Sequence, residues 1–597
     1  MQIVKFLKKV DELLVMKSSL LVFPRAELGN QSEGPQAESA VLAALTSGDP
    51  LSTAVLSAAA ATAATGAPSL GDGSTNLVVA DGAPRTCNCL ACQRTNSVMG
   101  DEIPEPIASL APTGGATVLT SRVDLGYTFK LHSHPTATKT IYLDFDGYVT
   151  TDTYWNTYKG LSSIATPKYD FDGNINVFSN DELERIQFIW QRVAEDFAPF
   201  NINVTTEDPG AAALTKGDVA GDTTWGTRVV IGGSCHDWFG IGAGGVSYVN
   251  VFGDGSAGPS FVFKEQLGNG HEKATAEAIS HEVGHALGLV HDGTSGAGYY
   301  TGQGSGNTGW APIMGAGYYQ PVTQWSKGEY KNANNKEDDL AIISSSTNGA
   351  GYRADDYGNS AASATALSGL SFSQFGIIET SDDSDWFSFC TGTGNVTLSI
   401  TNACQAWINN GSGNFSSALL TNRSPNLDIA AYLYSSDGNL VATSSPLASL
   451  AASFNLNLSA GIYLLKVIGV GFGDPLTNGY SNYSSLGQYL ISGIISIIGS
   501  LGLAGFSDTG FSSSDGISND NNFSLLLSDQ QAGTTVVFQS STNGGTTWIE
   551  TTSIQSNLAD GSYQFRAQVS NAAGDMGYTN IISITLDTSA PTAPALA

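Results

Sequence analysis

Histidine, glutamate and glycine recur over residues 281 to 292, HEVGHALGLVHD, at intervals that suit a hydrolytic metal centre. His281 and His285 are four apart. A helix therefore carries both imidazoles on one face, one turn apart, where two ligands of a single ion must lie. Glu282 adjoins the first histidine, within reach of a water held at such an ion. Gly288 lets the helix stop and the chain turn sharply, because glycine tolerates positive φ, and the turn delivers His291 as a third ligand. Three protein ligands leave a fourth position for water, which separates a catalytic zinc centre from a closed structural one. The short form H-E-x-x-H arises by chance. The longer form fixes five positions and uses three of the seven histidines in the chain.

Downstream, GWAPIMGAGYY sets Met314 in a glycine-rich turn. With this second element the chain resembles the metzincin family of zinc endopeptidases, whose pattern is H-E-x-x-H-x-x-G-x-x-H followed by a methionine turn. The resemblance covers roughly residues 139 to 350 and is specific around 281–292 and 311–314. It implies one catalytic Zn²⁺ on His281, His285 and His291, with Glu282 as base. It also implies Met314 as an apolar floor beneath the histidines. Asp292, after the third histidine, looks like the reprolysin (adamalysin-like) group and implies a structural hydrogen bond. Metzincins that use a tyrosine as an extra ligand carry it two residues past the methionine. Ala316 stands there, so neither Tyr318 nor Tyr319 is assigned to the metal. The implied reaction is peptide hydrolysis. Zinc acidifies water and polarises the scissile carbonyl, and Glu282 moves the proton from water to the leaving amine.

The elements that must hold these residues are legible. KTIYLDFDGYVT alternates apolar residues and ends in Asp-Gly, a strand running into a turn. Ser179 and Glu182 form a capping-box pattern, and Leu183, Ile186, Ile189, Trp190, Val193 and Phe197 follow at helical spacing. The strands INVTT, TRVVIGG and GGVSYVNVF precede the helix that carries the histidines. This order describes an α/β domain. AGGVSYVNVF is the candidate edge along which a peptide substrate pairs by β-augmentation.

Composition sets the wider frame. Lys and Arg total 25 against 54 Asp and Glu, a net charge of −29, which repels nucleic acid and suits Ca²⁺. Charged residues make up only 13% and glycines number 69, a texture of β-rich extracellular proteins. No apolar run is long enough for a membrane helix. The N-terminus makes a poor secretory signal, which leaves the export route open. Six cysteines in 597 residues are no disulfide scaffold. A single Cys390–Cys404 bridge is a plausible exception. A Cys87, Cys89, Cys92 triplet precedes the peptidase segment, where a thiolate could cap the open metal position or simply lie in a linker.

The expected chain is multidomain, an α/β metzincin catalytic domain followed by two β-sandwich domains. Residues 1–115 read as a leader or pro-segment with a low-complexity linker, 116–350 as the zinc peptidase domain, 351–497 as one sandwich and 498–597 as another with a terminal linker. ADDYGNSAASATAL, SDDSDWFSF and SAGIYLLKV make 351–497 similar to the bacterial pre-peptidase C-terminal domain. That likeness implies a part in secretion, folding or attachment to cell surface or matrix. The acidic run Asp382, Asp383 and Asp385 there could hold Ca²⁺, but a solvated turn before a strand is the preferred reading. DTGFSSSDGISND and LDTSAPTAP make 504–588 similar to bacterial Ig-like repeats, which implies structural Ca²⁺ at Asp508, Asp515 and Asp520. The function expected is a secreted or surface zinc endopeptidase acting on proteins or peptides. The alternative is a calcium-stabilised adhesin with a vestigial peptidase domain. No nucleic-acid partner and no membrane span are expected.

Overall fold

The computed structural model describes residues 85–88 and 119–589, apart from 218–220, 241, 497–498, 510–511, 529, 531–533 and 571–575; of 85–88 only the backbone is described. The chain divides into two units, Met1–Gly82 and Ala83–Ala597, and every described residue belongs to the second. Most of the expected leader and linker, Cys89, Cys92 and the terminal APTAPALA therefore lie outside the described residues.

The strands up to residue 350, here called the peptidase segment after the expectation above, are β1 (Arg85–Asn88), β2 (Leu131–His132), β3 (Lys139–Asp144), β4 (Tyr148–Thr150), β5 (Ile164–Thr166), β6 (Ile202–Thr205), β7 (Trp225–Ile231), β8 (Gly245–Val249), β9 (Ser260–Val262), β10 (Trp310–Pro312) and β11 (Val322–Gln324). Its helices are α1 (Tyr154–Lys159), α2 (Asn180–Asp196), α3 (Glu272–Leu287) and α4 (Asp339–Ile343). The sheet order is β1-β8-β9-β7-β3-β6-β2. β9, β7, β3 and β6 run parallel, and β1, β8 and β2 are antiparallel to their neighbours.

The sheet is covered on both faces, so its strands are buried along almost their whole length rather than on alternate residues. Val229 and Ile231 join the core that contains α2 and α3. Val230, between them, joins a second core of Trp155, Phe239, Val246, Tyr248, Phe261 and Phe263 beneath α1. Helix α2 begins at the expected capping box. Ser179 Oγ accepts from the Glu182 N–H at 3.3 Å, and Glu182 Oε2 accepts from the Ser179 N–H at 2.8 Å.

The next segment adds β12 (Thr365–Ala366), β13 (Ser371–Ile378), β14 (Asp385–Thr391), β15 (Gly394–Asn409), β16 (Phe415–Thr421), β17 (Ile429–Ser435), β18 (Leu440–Ser444), β19 (Ala452–Leu458), β20 (Gly461–Gly469) and β21 (Gly487–Ile494). One sheet runs β12-β14-β20-β17-β18. The other is built on β15, a strand of 16 residues. Its first half pairs with β19 and β21, and its second half pairs with β16 and with β2 of the peptidase segment through Trp407 and His132. A single 12-stranded sheet therefore crosses from one segment into the next, and their apolar residues form one core.

Polar contacts fix the same junction. Asp196, at the end of α2, accepts from Asn426 Nδ2 at 2.8 Å and from Ser280 Oγ of α3 at 2.6 Å. Gln191 donates to the Thr421 carbonyl at 2.6 Å. Glu195 beside it accepts from the Asn426 N–H at 3.3 Å and lies fully buried, which pushes its carboxyl up to about 8.

Residues 500–586 form two further small sheets around Leu501, Phe523, Leu525, Phe565, Ile584 and Leu586. This region meets the sandwich where Val569 packs on Cys390. The expected Cys390–Cys404 bridge does not form. Cys390 lies on β14, in the sheet that faces the last region, whereas Cys404 lies on β15, in the sheet that faces α2. Both thiols are buried and free. The chain is multidomain and rich in sheet with few helices, as its composition implied.

Candidate active site

Helix α3 is almost wholly buried, from Ala274 to Leu287. Its residues are therefore positioned by packing rather than by the helix alone. Gly284 faces Met314, and a Cβ there would fall 2.5 Å from the Met314 sulfur. A glycine inside a helix costs about 1 kcal/mol relative to alanine; here it makes room for the methionine. Met314 is fully buried. Gly288 ends the helix with φ of 112°, and its N–H bonds back to the carbonyls of Gly284 and His285. The chain reverses at that point and returns His291 to the helix face.

The three histidines meet. Their ligand nitrogens all lie within 4.8 Å of one another, and His285 Nε2 is 3.1 Å from His291 Nε2. Two backbone carbonyls orient the rings. His281 Nδ1 lies 2.9 Å from the Ile313 carbonyl and His285 Nδ1 lies 2.8 Å from the Leu289 carbonyl. A carbonyl only accepts, so each Nδ1 carries the proton and each Nε2 presents a lone pair. His281 Nε2 is buried and has no hydrogen-bond partner. Burial, reinforced by the neighbouring imidazoles, holds His281 well below the usual histidine range. Burial lowers His285 to about 4 and His291 to about 3. At neutral pH all three are uncharged, the state a metal requires.

Glu282 is fully buried beside this group. Gly245, at the start of β8, lies against it, and a Cβ at that position would fall 2.6 Å from its carboxylate. The chain leaving β8 is tied to the helix end, since the Asn250 N–H donates to the His285 carbonyl at 2.9 Å. β8 thus runs alongside the residues that matter.

Asp292 is buried, and its N–H donates to the Met314 carbonyl at 2.9 Å. Its carboxyl faces the Tyr330 hydroxyl at 3.5 Å and is pushed up to about 7, first by burial and then by Glu337. Among residues the sequence reading did not single out, Tyr299 packs its ring 4.3 Å from that of His291. Its only signal was an aromatic pair in a glycine-rich stretch. Gly245 and Gly284 were visible as glycines, but their neighbours are distant in sequence.

The acidic residues distribute differently from expectation. Asp508, Asp515 and Asp520 form none of the metal-sized groups found among the described residues; they accept from the N–H groups of Gly516, Ile517 and Ser507 respectively, and Asp508 Oδ1 is buried with no hydrogen-bond partner. The run read as a solvated turn is instead largely internal. Asp355, Asp356 and Glu379 bring carboxylate oxygens together, and so do Asp355, Asp383 and Asp385. Glu379, Asp383 and Asp385 are buried. Both oxygens of Glu379, Asp383 Oδ1 and Asp385 Oδ1 have no hydrogen-bond partner, because the chain between Glu379 and β14 folds back under residues 355–359.

Residues 248–387, which include α3, all three histidines and Met314, match the Peptidase M66 family. Residues 496–588 match the Bacterial Ig-like domain family. No curated protein is significantly similar to the chain. Among solved structures, the pre-peptidase C-terminal domain of collagenase from Bacillus anthracis is 18% identical. That alignment covers 22% of this chain and 93% of the other, with a TM-score of 0.15. A β-1,2-glucanase from Parabacteroides distasonis is 8% identical, over 37% of this chain and 38% of that one, with a TM-score of 0.11. Structural overlaps this slight carry no argument for fold or function. The family match defines a class, and the chain carries a peptidase domain, a hydrolase acting on proteins or peptides.

Proposed function

We propose that this protein is a zinc-dependent endopeptidase of the metzincin type, with reprolysin-like features, exported to the cell surface or medium. The observation that carries the reading is the pair of backbone carbonyls, from Ile313 and Leu289, that lock His281 and His285 with their lone pairs directed at one point shared with His291. Neutral buried imidazoles with an orphaned Nε2 fit a borderline-soft divalent cation. His281, His285 and His291 would hold it. Zinc supplies Lewis acidity toward water and the scissile carbonyl. Glu282 takes the proton from the attacking water and passes it to the leaving amine. Met314 and Gly284 fix the depth of the helix beneath the histidines. Asp292, tied through its N–H to the Met314 carbonyl, holds the turn after His291; the reprolysin-like subtype rests on its residue type alone.

The second cation of this reading is structural Ca²⁺, which the grouping of Asp355 with Asp356 and Glu379, and with Asp383 and Asp385, supports beside the expected Asp508, Asp515 and Asp520. Buried carboxylates beside one another are costly unless protonated or bound to a cation. Oxygen-only ligands suit calcium.

Zinc content and cleavage of an unfolded protein substrate, measured for the wild type and Glu282→Ala with and without chelator, test the catalytic reading. One zinc in each protein, with chelator-sensitive cleavage by the wild type alone, is expected. Zinc binding without cleavage by the wild type would favour a vestigial site in an adhesin.

A further inference from the structure

The sandwich reaches the histidine group by a route separate from the shared sheet. Between β20 and β21 the chain makes a loop that holds its own shape. Phe472 and Tyr480 exchange backbone hydrogen bonds at 2.9 and 2.8 Å, and the Asp474 carbonyl accepts from the N–H groups of Thr477, Asn478 and Gly479. The Tyr480 hydroxyl donates to the buried Asp428 at 2.9 Å. This loop lies on the segment between His291 and Met314. Phe472 and Tyr480 share a small core with Tyr300, Trp310 and Tyr330. Gly304 permits the approach, because a Cβ there would fall 2.8 Å from the Asn478 carbonyl oxygen.

One side chain joins the two. Gln303 Nε2 donates to the carbonyls of Pro475, at 2.7 Å, and Gly479, while its Oε1 accepts from the Tyr300 hydroxyl at 2.9 Å. Carbonyls only accept, so the amide can face them in one orientation, with its oxygen toward Tyr300. Tyr300 is held on other sides as well. Its ring stacks on that of Tyr330 at 4.4 Å and 6°, its N–H donates to the Asp292 carbonyl at 2.8 Å, and its carbonyl accepts from the Ala316 N–H at 2.8 Å. Tyr299, one residue back, sets its ring 4.3 Å from that of His291. The carbonyls that orient His281 and His285 come from the peptidase segment itself. The packing on His291 traces back to the sandwich.

We propose that Gln303 is a positioning residue for His291, and that the sandwich loop between β20 and β21 is through it a part of the active site, holding Tyr299 against the third histidine. The inference deepens the proposed function and rests on it for the metal and for cleavage. Loss of an outer partner that orients a metal ligand costs about 10–100-fold in metal affinity or activity. Gln303 acts on His291 rather than on substrate, so its removal should lower kcat and metal retention and leave KM near the wild-type value.

The test uses the full chain in three forms: Gln303→Ala; residues 474–478 replaced by Gly-Gly, which removes the Pro475 carbonyl from the sandwich side; and both changes together. The replaced residues form a largely exposed loop tip, where shortening is best tolerated. Asn307→Ala is the control, since it removes a bond from the same segment to the Ala448 carbonyl without touching Gln303. Hydrogen exchange at the Tyr300 and Ala316 amides of the metal-free protein is read first, then zinc release to a chelator, then kcat and KM. Both single forms should exchange faster, release zinc about tenfold faster or more, and lose kcat by a similar factor. The double form should be no worse than the more affected single one, because both changes cut one path. The control should match the wild type. Exchange equal to wild type in Gln303→Ala would overturn the proposal. So would additive losses in the double form, or an equal loss in the control, since either would mean a general loosening of the junction. If no form cleaves while exchange and zinc release respond as expected, the positioning of His291 stands and the peptidase reading falls. If the wild type takes up no zinc, the metal reading falls, and exchange at Tyr300 and Ala316 decides by itself whether the sandwich holds this segment.

Discussion

A buried nitrogen with a lone pair and nothing to accept from is expensive, and His281 Nε2 is in that position. The cost is tolerated where an ion completes the group, so the histidine ligands and Glu282 should separate cleanly on substitution. His285→Ala should abolish stoichiometric zinc, read by metal analysis of the dialysed protein, and activity with it. Gly245→Ala tests Glu282 from the opposite side. Its methyl group must displace the carboxylate, so kcat should fall by one to two orders of magnitude while zinc content stays at the wild-type level; an unchanged kcat would show that Glu282 has room to spare. At this scale the sequence was highly legible. The spacing of His281, His285, Gly288 and His291 follows from helix geometry and one positive-φ residue. The orienting carbonyls of Ile313 and Leu289 were not legible, because any residue type supplies a carbonyl. Nor were the roles of Gly245 and Gly284, which depend on what lies across the gap.

Between elements, the contact of α3 with the methionine turn is the tightest. Gly284→Ala should cost about 1–3 kcal/mol by overpacking against Met314, measurable as a lowered unfolding midpoint, with activity falling further than stability because the helix carries the ligands. The junction of α2, α3 and the sandwich is the second test. Asn426→Ala strips a donor from the fully buried Asp196, which also holds Ser280. Loss of about 1–3 kcal/mol is expected, with a fall in cleavage rate transmitted through Ser280 even though residue 426 lies outside the peptidase segment. The capping box, the amphipathic period of α2 and the alternating strands were all readable from local pattern. The run of β15 into β2 was not. Strand pairing over hundreds of residues leaves no local period, and the sheet continues across the bound expected at 350/351.

For the molecule as a whole, the buried carboxylates set a pH dependence. Burial raises Asp196 to about 7, Glu195 to about 8 and Asp385 to about 9. An unfolded chain releases these protons near pH 4. Between about pH 4 and 9 the folded protein therefore binds more protons, so stability falls as pH rises through that window. In chelator the unfolding temperature should drop between about pH 5.5 and pH 8.5. Added Ca²⁺ should flatten the drop by taking over the charge at Glu379, Asp383 and Asp385. Equal slopes with and without calcium would remove the ion from that cluster. The sheet shared through β15 also has a consequence in time. A ribosome delivers His281, Glu282 and His291 before Asn426, and at roughly 5–20 residues per second the interval of about 135 residues after His291 lasts on the order of 7–27 s. During that interval Asp196 lacks the Asn426 donor and keeps only that of Ser280, and β2 waits for β15 on its other side. On the proposed function, the helix that carries the histidines thus receives its last supports from sequence made after it.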